Sequence, residues 1–100
     1  MQEEEILVGG RTARAWVVPA GPVNLVFAIG ARGLLGCGAI DPGAFQRFDY
    51  PAARVRSTTG PSVRTVEDLL DGEVTEANGA AQALGVTVGI SGRTALSRFA

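Results

Sequence analysis

Residues 33–42, Gly33-Leu34-Leu35-Gly36-Cys37-Gly38-Ala39-Ile40-Asp41-Pro42, decide how this chain is read. From Leu34 to Ile40 the residues are small or aliphatic, as in a buried strand, and the run ends on Asp41-Pro42. An aspartate followed by proline opens a helix: the carboxylate accepts from a free amide of the first turn, and the proline sits where no amide is needed. The stretch also carries the one cysteine of the 100-residue chain. Thiol, glycines and carboxylate therefore meet at a strand-to-helix junction.

Upstream, the sequence reads as three more strands. Residues 4–8 and 11–18 flank Gly9-Gly10, a dipeptide suited to a tight hairpin turn. Pro19-Ala20-Gly21-Pro22 is the strongest turn signal in the chain. After it Val23, Leu25, Phe27 and Ile29 alternate with Asn24, Val26, Ala28 and Gly30 at a period of two, so the larger set is expected to face the core and the smaller set to be covered as well. Four consecutive strands with short links predict an antiparallel meander. Trp16 reads as a core or interface anchor, or as a platform for a ligand.

Downstream, residues 42–49 predict a short helix whose Phe45 and Phe48 share one side and pack on the sheet. Tyr50-Pro51 ends it, because the residue before proline is pushed out of the helical region. Ala52–Arg56 reads as a fifth strand, with Val55 inward and Arg54 and Arg56 on the opposite face. Residues 57–62 have loop chemistry. Thr65 is an N-cap, with Asp68 where a capping box carries Glu or Gln. Val66, Leu69, Leu70, Val74, Ala77, Ala81 and Leu84 recur at helical intervals, predicting one amphipathic segment with Gly72 as the place for a bend or break and Gly85 as its stop. Glu67, Asp68, Asp71, Glu73 and Glu76 form its solvated side. Val86, Val88 and Ile90 read as a short extended segment, and Ser91 caps a last helix whose Leu96 and Phe99 dock on the core. The expected class is α+β: an N-terminal antiparallel β-meander of four or five strands with short helices packed on it, then C-terminal helices. Residues 1–100 are expected to form one domain, mainly β over 1–40 and mixed over 41–100.

Apolar residues make up 46% of the chain and charged residues only 19%. A core of this size does not comfortably hide that much apolar surface, and a net charge of −1 does little to hold copies apart. A homo-oligomer is expected, its subunit contact hiding part of this surface. All nine basic residues are arginine, and there is neither lysine nor histidine. A P-loop lacks its lysine, a zinc site its ligands, and a serine or cysteine nucleophile its imidazole. No metal and no cofactor is expected. Nine basic groups against ten acidic ones argue against nucleic acid as a partner. The acidic start and the absence of a long uncharged apolar run argue against a secretory signal and a membrane partner, and a lone cysteine fits the reducing cytoplasm.

Three pieces in order, Cys37-Gly38-Ala39-Ile40-Asp41, then Val63-Arg64-Thr65-Val66-Glu67-Asp68-Leu69-Leu70, then Ala83-Leu84-Gly85-Val86 leading to Gly89-Ile90-Ser91-Gly92-Arg93-Thr94-Ala95-Leu96, resemble the YunC-like family of small bacterial and archaeal proteins, a domain of unknown function. The resemblance extends from about Leu34 onward. It implies an α+β domain whose N-terminal β region mediates tetramer formation, and it brings no known reaction.

Two functional readings stand side by side. In the first, a homo-oligomeric assembly or regulatory module binds a small anionic molecule. Arg64 and Thr65 at one helix start and Ser91 and Arg93 at another place guanidinium groups beside free amides, which favour anions, and Arg54 and Arg56 complete a pocket if they reach the same space. In the second, an enzyme uses Cys37 with Asp41 and an arginine for thiol or acyl chemistry. Each residue also has a plain structural role open to it: Cys37 as a small core hydrophobe, Asp41 as a helix cap, and the arginines as partners of surface carboxylates.

Overall fold

A computed structural model describes residues 1–100. Six strands form one sheet in the order β1-β2-β3-β4-β5-β6: β1 Gln2–Val8, β2 Arg11–Ala20, β3 Val23–Ile29, β4 Leu34–Gly36, β5 Ala52–Arg56 and β6 Glu73–Ala77. Helices α1 (Pro42–Gln46), α2 (Val66–Asp71), α3 (Gly79–Gln82) and α4 (Gly92–Phe99) complete the chain. The class is α+β, as expected. No helix is long and apolar enough to cross a membrane.

The first four strands form the antiparallel meander that the turn signals call for. Gly9 and Gly10 both take positive φ, +56° and +79°, the backbone of a two-residue turn that suits the twist of the flanking strands. Gly21, at φ +64°, and Pro22 make the next one. The sheet then departs from a simple meander. β4 is only three residues long rather than running to Ile40, and β5 lies beside it in parallel, with Leu34 opposite Ala52 and Gly36 opposite Arg54. A parallel neighbour requires a crossover, which α1 supplies.

Further expectations fail for instructive reasons. The apolar period over residues 66–84 is not one helix: it is α2, then strand β6, then α3. Gly72 takes extended backbone, and β5 offers an open edge with which residues 73–77 pair, so tertiary pairing overrides the local helical pattern. Residues 86–90 in turn are not a strand, although Val74 exchanges main-chain bonds with Ile90 and Gly89, each 2.9 Å long.

Another failure concerns β3. Val26 and Ala28 are fully buried, whereas Leu25, Phe27 and Ile29 are half-buried and Val23 is exposed. The small set faces the core. Together with Ala13, Ala15, Leu35 and Ala53 it forms a low floor that lets Leu69, Leu96 and Phe99 of α2 and α4 come close. α4 approaches α2 tightly at Gly92, where a Cβ would overlap the Leu69 carbonyl oxygen. Phe48, predicted to pack on the sheet, is 78% exposed because α1 ends at Gln46 and the following turn points it outward.

Candidate functional site

Beyond Gly36 the sheet splits. Strand β4 stops there, while β3 on one side extends back to Val23 and β5 on the other continues to Arg56. Cys37 donates its N–H to Val26 O at 2.9 Å, and the chain then turns away, closed by Ile40 N–H on Cys37 O at 3.1 Å. The space left where β4 would have continued is a cleft of about 540 Å³. Its walls are Val23, Asn24 and Leu25 of β3 and Arg54, Val55 and Arg56 of β5, with Pro61, Ser62 and Val63 of the following loop beside them. It lies at the C-terminal ends of the two parallel strands, the position where open α/β sheets bind ligands.

Of the residues singled out from the sequence, Cys37, Arg54 and Arg56 come together in this cleft. Cys37 is 6% exposed and belongs to the hydrophobic core at the cleft floor. Arg54 pairs with Glu76 at 2.7 Å and donates to Gly38 O and Ile40 O, both at 3.4 Å, which tethers the chain leaving β4. Arg56 pairs with Glu73. Both guanidinium groups are thus partly neutralised by β6.

Arg64 stands in a second hollow of about 270 Å³, lined also by Thr59, Gly60, Pro61, Ser62 and Asp68. The two hollows share Pro61 and Ser62. Arg64 takes part in none of the four ion pairs of the molecule. Thr65 is the N-cap of α2, accepting from Asp68 N–H at 3.1 Å, while the Asp68 carboxylate accepts from Arg64 N–H at 3.0 Å. Aspartate is one methylene shorter than the glutamate of a capping box and reaches the residue before the cap.

The remaining candidates lie elsewhere. Asp41 caps α1 through Gly43 N–H at 3.0 Å and does not line the cleft, so the thiol and this carboxylate do not share it. Ser91 caps α4, accepting from Thr94 N–H at 3.1 Å, and Arg93 meets Glu67 at 3.7 Å on the helical side. Asn24 and Thr75 also line the cleft, and the sequence reading passed over both. Asn24 sits in a run of alternating apolar residues, where a lone amide is the visible exception; its side chain donates to Arg64 O at 3.0 Å, fastening the loop to β3.

This architecture can be placed among known proteins. A family model described as a domain of unknown function, DUF1805, matches residues 36–99. The chain belongs to the DUF1805 family. The match begins at the last residue of β4 and takes in the cleft loop and all four helices. The uncharacterized protein YunC of Bacillus subtilis is 30% identical over 94 residues, covering 94% of this chain and 92% of that one. The crystal structure of a Thermoplasma acidophilum protein of unknown function superimposes with a TM-score of 0.87 at 26% identity, over 99% of this chain and 92% of the other. Neither protein's description names an activity.

Proposed function

We propose that the chain is a homo-oligomeric binding module that holds a small anion, a carboxylate or a phosphate, in the cleft between β3 and β5 and the adjoining hollow. The observation that carries this reading is the shared wall at Pro61 and Ser62, which sets Arg54 and Arg56 on one side and the unpaired Arg64 on the other. Guanidinium groups bind carboxylate and phosphate through paired N–H donors, and Ser57, Ser62 and Thr75 add hydroxyls to the cleft lining. Binding is favoured over thiol chemistry because the buried Cys37 has neither an imidazole in the chain nor Asp41 beside it in the cleft.

Assembly rests on the other face of the sheet. Trp16 and Phe27 stack with ring centroids 5.3 Å apart, and Val18, Leu25 and Ile29 lie half-buried on the same face, opposite α2 and α4. A second copy is the partner this reading assigns to the patch, because a two-fold along the strands lays the same apolar residues against themselves; the charges at its margins are already paired within the chain, Glu3 with Arg14, Arg54 with Glu76 and Arg56 with Glu73. The tetramer implied by the family resemblance is the expected order. A cytoplasmic setting accompanies this reading, with Cys37 as a free thiol.

The test of the ligand reading is thermal denaturation of the wild-type chain and Arg64→Ala with phosphate, citrate and short-chain carboxylates. A ligand that binds only the folded state raises the midpoint with its concentration. The wild type is expected to respond and Arg64→Ala to respond less. A flat response in both overturns the reading.

A further inference from the structure

The cleft is a strand-wide slot, and its chemistry follows from the ladder on either side. Ala20 faces Val23 across a two-residue turn, so these two form a hydrogen-bonded pair, and bonded pairs then alternate along β3. Leu25 and Phe27 aim their main-chain groups at β2; Asn24, Val26 and Ala28 aim theirs the other way. Val26 O is met by Cys37 N–H, and Gly30 N–H further along the same edge meets Gly33 O, both at 2.9 Å. The N–H and C=O of Asn24, next on that edge, face the slot where β4 has ended.

The opposite wall repeats the pattern. Leu34 N–H donates to Pro51 O at 3.0 Å and Asn78 N–H to Ala52 O at 3.1 Å. Odd-numbered residues of β5 therefore point at β4 and even-numbered ones at β6. The register shift after Arg54 is taken up by Thr75, the extra residue on β6, so the alternation continues along β5 and Val55 C=O points into the slot beyond the last residue of β4; Arg56 C=O lies against Gly72 on the β6 side, which turns the Ser57 N–H of the same peptide toward the slot. Two edges left with one strand missing between them stand two ladder spacings apart, about 9–10 Å, the room one extended backbone occupies. The side chains that alternate along such a backbone meet Leu25 and Val23 on one face of the sheet and Cys37, Val55 and Val63 on the other.

We infer that the slot takes a short peptide in extended form, two or three residues of which complete the sheet between β3 and β5 by pairing with Asn24 on one side and with Val55 and Ser57 on the other. Main-chain pairing supplies the attraction, and the apolar walls select small or β-branched side chains. The inference rests on the proposed cleft site and names its ligand: the anion is the terminal carboxylate of a peptide, held by the arginines. An unstructured alkyl carboxylate has the charge but not the amides.

The experiment is calorimetric titration of the wild-type chain with four probes: N-acetyl-Ala-Val-Ala, its C-terminal amide, its backbone N-methylated form and hexanoate. N-methylation removes one donor and adds bulk at the ladder, so it is expected to weaken binding by about fivefold or more, the equivalent of one lost hydrogen bond, and hexanoate is expected to bind more weakly than the parent peptide. An N-methylated peptide that binds as well as its parent overturns strand pairing. Hexanoate binding as tightly as the peptide overturns the peptide inference and leaves the anion reading standing. An amidated peptide equal to the free acid, with sensitivity to methylation retained, upholds the slot and overturns the anion reading. Silence from all four, with phosphate and citrate also inert, overturns both.

Discussion

The side-chain amide of Asn78 donates to Tyr50 O at 2.9 Å, joining the start of α3 to the chain that leaves α1. The same nitrogen donates to Pro42 O at 3.0 Å, and its oxygen accepts from Ala52 N–H at 3.2 Å and Ala81 N–H at 2.9 Å. All four bonding positions of a buried amide are used, so one side chain holds α1, the start of β5 and α3 in register. Asn78→Ala leaves several buried groups unpaired and is expected to cost about 2–4 kcal/mol. Asn78→Asp sets an oxygen against the carbonyls of Pro42 and Tyr50 and is expected to cost at least as much. Urea unfolding of both variants is the check; a change below about 0.5 kcal/mol, the range of an inert surface substitution, contradicts the role.

Gly92 allows α4 to lie against the end of α2. Gly92→Ala forces the two elements apart at the Leu69 carbonyl and threatens the 2.9 Å bond from Gly92 N–H to Gly72 O. Overpacking of this kind costs about 1–3 kcal/mol. The loss is expected in thermal midpoint, and Gly38→Ala, where a Cβ meets nothing within 4 Å, serves as the matched control.

Trp16 stacks on Phe27 in the open apolar face. Trp16→Glu is expected to leave the circular dichroism of the chain intact while converting the assembly to protomers in sedimentation velocity. A wild-type chain that already sediments as a protomer at micromolar concentration contradicts the proposed assembly.

Tyr50 packs edge-on against Phe45, ring centroids 5.9 Å apart, and desolvation by burial raises its pKa above the ordinary 10.0. The folded chain thus holds the phenol proton more tightly than the unfolded one. Its contribution is fully present below the unfolded value and is lost as pH rises through the folded one. Stability is expected to fall above about pH 10, and Tyr50→Phe to fall less steeply over that window. Equal slopes in thermal melts of the two chains contradict the assignment.

Where local chemistry dictates geometry, sequence and structure agree. Gly9-Gly10 and Gly21-Pro22 make two-residue turns, and Asp41, Thr65 and Ser91 cap the helices they were expected to cap. Disagreement begins where a distant element decides. Val74 and Ala77 keep helical spacing with Leu70 and Ala81, yet the free edge of β5 draws them into a strand. The two faces of β3 are both apolar, and only the arrival of α2 and α4 settles that Val26 and Ala28 face inward. Of the candidate site, Cys37, Arg54 and Arg56 were each legible as candidates, but their meeting in one cleft was not, because it depends on the parallel pairing of β5 with β4 across the α1 crossover. The slot was not: it arises from β4 stopping at Gly36 while β3 and β5 go on, and strand length is set by the turn at Cys37 and the tether from Arg54.

The outermost strand carries a further consequence. β1 forms one border of the sheet, and Glu3, Glu4 and Glu5 lie in its middle. If two such borders met antiparallel about Glu4, each Glu3 would oppose a Glu5 and the two Glu4 carboxylates would face one another, an arrangement that like charges oppose. Ribbon growth from protomer to protomer is therefore opposed along this border. The three carboxylates thus act as a guard against edge-to-edge pairing along β1.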